Sequence, residues 1–316
     1  MKIFHTMYKD IEAIGCETED MTAIFLPDYG AKLTSLKNRR NGQELLEQSK
    51  NDFYLKPVYG GCYTEAECSA FDDMFPTIDS FICNEYPWQG VEYPDHGEVY
   101  ALPWENEITD ECLHMWVYSV RFGYRLDKWV TEEQGSIMIR YQVENLTDFE
   151  LPYIYAAHCM LAAQEGAVIE LPYNEAETAA TTAFSKSGRI GGYGSKISWP
   201  VYEEMDLSKV GSKSLKDSYK FYFDKKIPEG KCTYRYPDGS GLIFGFDHKE
   251  LPYLAIWFNM GGLLDKYNIA FEPCSGVFDR PDIAKLHNRY SVLKGKEIKE
   301  WYVSFAYEEK DTQGGE

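Results

Sequence analysis

Apolar residues along this chain fall into short runs that alternate with polar positions and end at turn formers, so strand signals recur from end to end. MTAIFL (21–26) precedes a turn from Pro27 to Gly30. Leu33 and Leu36 follow, then polar NRRNGQELL, whose Asn41-Gly42 pair is a strong hairpin signal. HMWVYSVRFGYRLDKWV and SIMIRYQVEN, rich in Val, Ile, Tyr, Phe and Trp, flank a turn-like interval at Glu132 to Gly135. GLIFGFDHKELPYLAIWFNMGG holds two apolar runs, and its middle, with Asp247 and His248, reads as a hairpin turn. EIKEWYVSFAYEE alternates like a closing strand. Helical patterns are few. EEMDLSKVGSKSLKDSYKFYF (203–223) is interrupted by Gly211 and reads as a loop with a short helical turn, and AFSKSGRIGGYG (183–194) reads as a surface loop. No repeat period and no linker divides the chain. The pattern predicts one all-β domain over residues 1–316, a sandwich of mainly antiparallel strands.

Composition agrees with a large core: 44% of residues are hydrophobic and 16% aromatic, too apolar for a disordered chain. The formal charge, 32 − 51 = −19, repels nucleic acid and anionic membranes, so neither is an expected partner. No apolar stretch approaches membrane-spanning length, and the N-terminus lacks the apolar core of a signal peptide. The eight cysteines form no CxxC pair and no zinc spacing, so no metal site is expected. These features point to a reduced, cytoplasmic protein.

Candidate chemistry is sparse. Dinucleotide and nucleotide loops, HExxH and GxSxG are all missing. In YNIAFEPCSG (267–276), Glu272 stands at the end of an apolar run, with Pro273 and Gly276 after it. A carboxylate taken out of water is costly unless paired, so Glu272 is either an edge-strand residue reaching solvent or a group held for a purpose. His158 lies amid apolar residues in LPYIYAAHCMLAA, where a desolvated imidazole rests neutral. It is either a satisfied core histidine or part of a site. His96 occupies the Pro-rich loop YPDHGEVYALPW, directly before Gly97. Trp88, Trp104, Tyr153, Tyr155, Trp257 and Phe258 supply aromatic surface nearby in sequence. Aromatic walls with polar tips suit sugars, whose C–H faces are apolar.

These stretches resemble the aldose 1-epimerase (galactose mutarotase-like) family in order along residues 14 to 310. MTAIFLPDYGAKLTSLKNRRNGQELL is similar to its opening, DDMFPTID to its Phe-Pro loop, DHGEVYALPW to its His-Gly segment, LPYIYAAHCML to its second histidine strand, and LPYLAIWFNMGG with IAFEPCSG to its C-terminal glutamate segment. The resemblance implies a galactose mutarotase-like β-supersandwich that needs no cofactor and interconverts the anomers of a free monosaccharide. It implies Glu272 as general base, His158 as general acid on the opposite side of the sugar ring, and His96 as a second histidine on the sugar. The family's arginine after the Phe-Pro loop is missing; FPTIDSF offers Asp79 instead, with Asp72 and Asp73 before it. Asp73 and Asp79 are candidate sugar contacts, as is Trp257, while Asp247 is the candidate for the family's further aspartate. Asp72, Asp73 and Asp79 are equally readable as loop-solvating or turn-capping residues. No basic cluster adjoins the cleft segments, which favours a neutral sugar over a phosphorylated one. A binding protein without turnover is the alternative on the same fold.

Overall fold

The computed structural model describes residues 1–173 and 178–310. Two antiparallel sheets dominate. The first has eleven strands; its centre runs, in spatial order, Lys32–Asn38, Phe71–Met74, Ala156–Ala162, Tyr267–Cys274, Tyr253–Met260, Asp217–Phe223 and Thr178–Ser185. The second has eight strands, with Gly241–Phe246, Ile298–Glu308, Ser136–Asn145 and Tyr124–Glu133 adjacent at its centre. The all-β sandwich of mainly antiparallel strands expected from the sequence is therefore present.

The two sheets pack face to face. Phe71 from the larger sheet meets Phe244 and Phe305 from the smaller one edge-on, with ring centroids 6.4 and 5.9 Å apart. Burying such a ring contributes roughly 1.5–3 kcal/mol. Successive side chains on a strand point to opposite faces, so the larger sheet sorts its residues by parity. Phe71, Cys159, Leu161, Phe221, Phe258, Ile269 and Phe271 face the inter-sheet core. Met74, Ala156, Met160, Tyr222, Ala270 and Cys274 face the other way, into a second apolar cluster. That second face carries the site.

Several local expectations hold. Tyr124–Glu133 and Ser136–Asn145 pair around Gln134-Gly135, and Gly42 lies in a turn closed by its N–H on Asn38 O at 2.9 Å. Others need correction. Asp247 and His248 do not make a hairpin: Gly241–Phe246 belongs to the smaller sheet and Tyr253–Met260 to the larger, so this turn carries the chain between sheets. The stretch 203–223, read as a loop with a short helical turn, holds such a turn at Lys213–Leu215 but ends in the strand Asp217–Phe223, every residue of it buried. The loop expected at 183–194 begins inside the strand Thr178–Ser185. A short helix, Pro281–Leu286, was not anticipated; it starts with proline at its first position, which suits an end with no N–H partner to lose. Among the described residues no helix is long and apolar enough to cross a membrane.

Candidate active site

A cavity of about 300 Å³ opens on the second face of the larger sheet. Glu272, His158 and Lys220 project into it from three strands, while His96, Asp79 and Asp279 enter from loops. Its apolar wall is Trp257 with Phe184, ring centroids 5.8 Å apart, and Leu263 and Leu264 beside them.

Glu272 is 1% exposed. Its parity explains why: Ile269 and Phe271 take the inter-sheet face, so Glu272, between Phe271 and Pro273, must take the other. Its Oε2 lies 2.6 Å from Lys220 Nζ, a buried ion pair. Lys220 Nζ also donates to Asp279 Oδ1 at 2.6 Å, an oxygen that accepts from Tyr222 Oη at 2.6 Å as well. Burial disfavours the Lys220 ammonium, but Asp279 and Glu272 outweigh it and raise its pKa. Burial raises the Glu272 carboxyl above its ordinary value, with Lys220 opposing. The ion pair thus holds a buried carboxylate at the cavity, with Oε2 against Lys220 and Oε1 on the side of His158.

His158 is buried, and its Nε2 stands 4.0 Å from Glu272 Oε1. Burial, then the charges of His96, Lys220, Lys32 and Lys266, drives its pKa well below the usual histidine value. At its other nitrogen, Nδ1 is 3.4 Å from Tyr63 Oη, which donates to Asp72 Oδ2 at 2.8 Å. Asp72 is also bonded by the Lys32 ammonium.

His96 lies flat on the Tyr63 ring, 4.0 Å between centroids and 7° between planes. Asp95 fixes both residues, through His96 Nδ1 at 2.7 Å and Tyr63 N at 2.8 Å. Burial works against the Asp95 carboxylate, but the His96 contacts hold its pKa below the ordinary value. Gly97, at φ +80°, lets this loop press on Phe75: a Cβ there would sit 2.2 Å from Phe75 O.

The placements of the expected residues divide cleanly. Glu272, His158, His96, Asp79 and Trp257 line one cavity. Asp79 sits at its exposed rim, where burial and then Asp279 raise its pKa. Trp257 donates its Nε1–H to Asn268 Oδ1 at 3.1 Å. Asp73 is elsewhere. It shares the parity of Phe71, so it points between the sheets and pairs with Lys128 at 2.9 Å. Asp247 is elsewhere too; its Oδ1 accepts from Lys249 N at 3.0 Å in the inter-sheet turn. Trp104 and Phe258 lie in the inter-sheet core rather than on the cavity.

Three cavity-side residues escaped the sequence reading, Lys220, Asp279 and Tyr63, while Asp72, singled out there as an aspartate before the Phe-Pro loop, braces Tyr63. Lys220 had a signal, since it alternates with Tyr219, Phe221 and Phe223 and so shares a face with Tyr222. The spacing of Glu272 and His158 also corrects an expectation. At 4.0 Å no ring fits between them, so the two groups address one edge of a sugar rather than its opposite sides. Among the described residues no cluster of histidine, cysteine and acidic side chains is arranged to hold a metal ion.

Neither a family profile nor a curated protein sequence matches the chain. Solved structures do. A galactose mutarotase related enzyme from Lactobacillus acidophilus superposes with TM-score 0.67 at 14% identity, covering 95% of this chain and 98% of that one. A galactose mutarotase-like protein from Lactobacillus casei gives 0.66 at 16%, covering 93% and 99%. One from Clostridium acetobutylicum gives 0.65 at 14%, covering 97% and 98%. The chain has the galactose mutarotase-like fold.

Proposed function

We propose that the protein is an aldose 1-epimerase-like isomerase that interconverts the anomers of an aldose by opening and reclosing its ring. The observation that carries this reading is the placement of Glu272 and His158 side by side on one open cavity, 4.0 Å apart. The hemiacetal oxygens O1 and O5 share one carbon, so two groups this close can reach both. Glu272 takes the O1 proton while His158 delivers one to O5; the C1–O5 bond breaks and the aldehyde forms. Rotation about C1–C2 and the reverse transfers close the other anomer. Asp279, Asp79 and His96 supply fixed partners for the remaining hydroxyls, and the Trp257 and Phe184 wall takes the apolar face.

Glu272→Gln removes the base and keeps the shape. It should lower the rate of anomerisation of freshly dissolved α-glucose or α-galactose, followed by polarimetry, by about 10²–10⁴-fold. A wild type that accelerates no aldose would sink the reading.

One observation favours a second substrate. A neighbouring cavity of about 490 Å³ shares Thr64, Cys68, Leu264 and Lys266 with the first. At its border Lys50, Lys213 and Lys216 converge on Asp265, at 3.3, 3.1 and 2.7 Å. Folding thus assembles a basic cluster that the sequence scattered, on a chain of charge −19. This cluster supports a sugar phosphate as substrate. Running glucose 6-phosphate beside glucose separates the two: acceleration of the phosphate alone selects the second reading.

A further inference from the structure

An imidazole has two nitrogens, and its neighbours decide which one carries the proton when the ring is neutral. On one side of His158 stands Tyr63, buried, with its hydroxyl donating to Asp72 Oδ2 at 2.8 Å. The Lys32 ammonium bonds that same Asp72 oxygen and holds it as an acceptor. A phenol has a single proton to give. Once it points at Asp72, the Tyr63 oxygen can only accept, and its remaining neighbour is His158 Nδ1 at 3.4 Å. That contact is favourable only with hydrogen on Nδ1. On the other side Nε2 faces Glu272 Oε1 at 4.0 Å, beyond hydrogen-bond reach, so nothing there calls for a second hydrogen.

We propose that Tyr63 is a positioning residue that holds His158 in the Nδ1–H form, so that the imidazole gains and loses protons at Nε2, the nitrogen on the cavity. This rests on the acid–base reading of the cavity and deepens it. The neutral ring meets a sugar as an acceptor. To act as acid it first takes a proton from solvent on Nε2 and then passes that proton to O5 as C1–O5 breaks, while the O1 proton goes to Glu272. The Nδ1 proton stays throughout on Nδ1, donated to the Tyr63 oxygen, which is backed by Asp72 and Lys32. The carboxylates facing the ring are Glu272 and, through Tyr63, Asp72. Burial first, and then the charges of His96, Lys220, Lys32 and Lys266, disfavour the imidazolium, so the loaded form is scarce at neutral pH. The rate should therefore rise as pH falls from neutrality, until Glu272 itself is protonated.

The test is a long-range proton–nitrogen spectrum of the full chain labelled with ¹⁵N-histidine, recorded without sugar. The His158 signals are assigned by their loss in His158→Asn. The expected wild-type pattern is a protonated Nδ1 and a bare Nε2. Tyr63→Phe removes the acceptor and should move His158 toward the Nε2–H form, with the signals of His5, His114, His248 and His287 unmoved as the folding control. The same variant should lower kcat about tenfold or more with little change in KM. If Tyr63→Phe does not fold, Asp72→Asn carries the test, since it frees the Tyr63 proton to turn toward Nδ1 and should produce the same shift. A wild type with hydrogen on Nε2, or a variant that leaves the tautomer unchanged, overturns the proposal. Because the tautomer is read without substrate, failure to anomerise any sugar would remove the proposed function and leave this result standing.

Discussion

Asp72 and Asp73 are neighbours in sequence, both buried, both paired with a lysine, and they stand on opposite faces of one sheet. Asp73 lies between the sheets. Its Oδ2 meets Lys128 at 2.9 Å, its Oδ1 accepts from Tyr155 Oη at 2.7 Å, and Lys128 also bonds Ala31 O at 2.6 Å. That cluster shares no residue with the cavity lining. Asp72 lies on the other face, and its chain of contacts runs through Tyr63 to His158, on the cavity. Beyond it Glu272 Oε1 and His158 Nε2 stand 4.0 Å apart on the cavity, too far to satisfy one another. A buried ionic cluster whose valences are filled internally holds structure. One that leaves a lone pair or a proton unmatched beside open space is equipped for chemistry.

The comparison can be broken by exchanging the roles. Lys128→Met strands the Asp73 carboxylate in the dry interior and should cost about 3–5 kcal/mol of stability by chemical denaturation. Glu272→Gln should cost far less stability, because it removes a carboxyl that burial already disfavours in its charged form. Equal losses in the two variants would erase the distinction.

A smaller effect comes from pH. The folded pKa of His158 is depressed below its unfolded value of 6.5, so between those two values the unfolded chain holds more protons. Stability is then complete above about pH 6.5 and falls below it, by up to ~1.4 kcal/mol per pH unit. His158→Asn should remove that slope. Glu272, with its raised pKa, acts in the opposite direction and is common to both proteins. A slope that survives the substitution would show that His158 is not the group responsible.

Much of this could be read from the sequence, for a definable reason. Strands announce themselves through alternation, and Glu272 and His158 were conspicuous as polar residues inside apolar runs. Asp73 was misjudged because its role depends on which face Phe71 takes, a matter of parity that adjacent aspartates blur. Lys220 was hidden by a misread period: the charged stretch before it looked helical, although Tyr219, Phe221 and Phe223 alternate around it. The Lys50, Lys213 and Lys216 cluster was beyond reach, since its members are up to 166 positions apart and meet only on Asp265 (216 − 50 = 166). Asp247 gives the smallest effect: Asp247→Asn retains the oxygen that caps its turn, and should leave both anomerisation and stability unchanged within about 0.5 kcal/mol.

The carbonyl of Asp279 accepts from the amides of Ile78 and Asp79, at 3.0 and 2.9 Å, while its side chain holds Lys220 and Tyr222. Three stretches of chain separated by many tens of residues are therefore tied by a single amino acid, the last of the three to be synthesised. A nascent polypeptide emerging from the ribosome would carry the first two stretches untied until Asp279 follows them out, so the pit can be drawn together only after its last-made tie arrives.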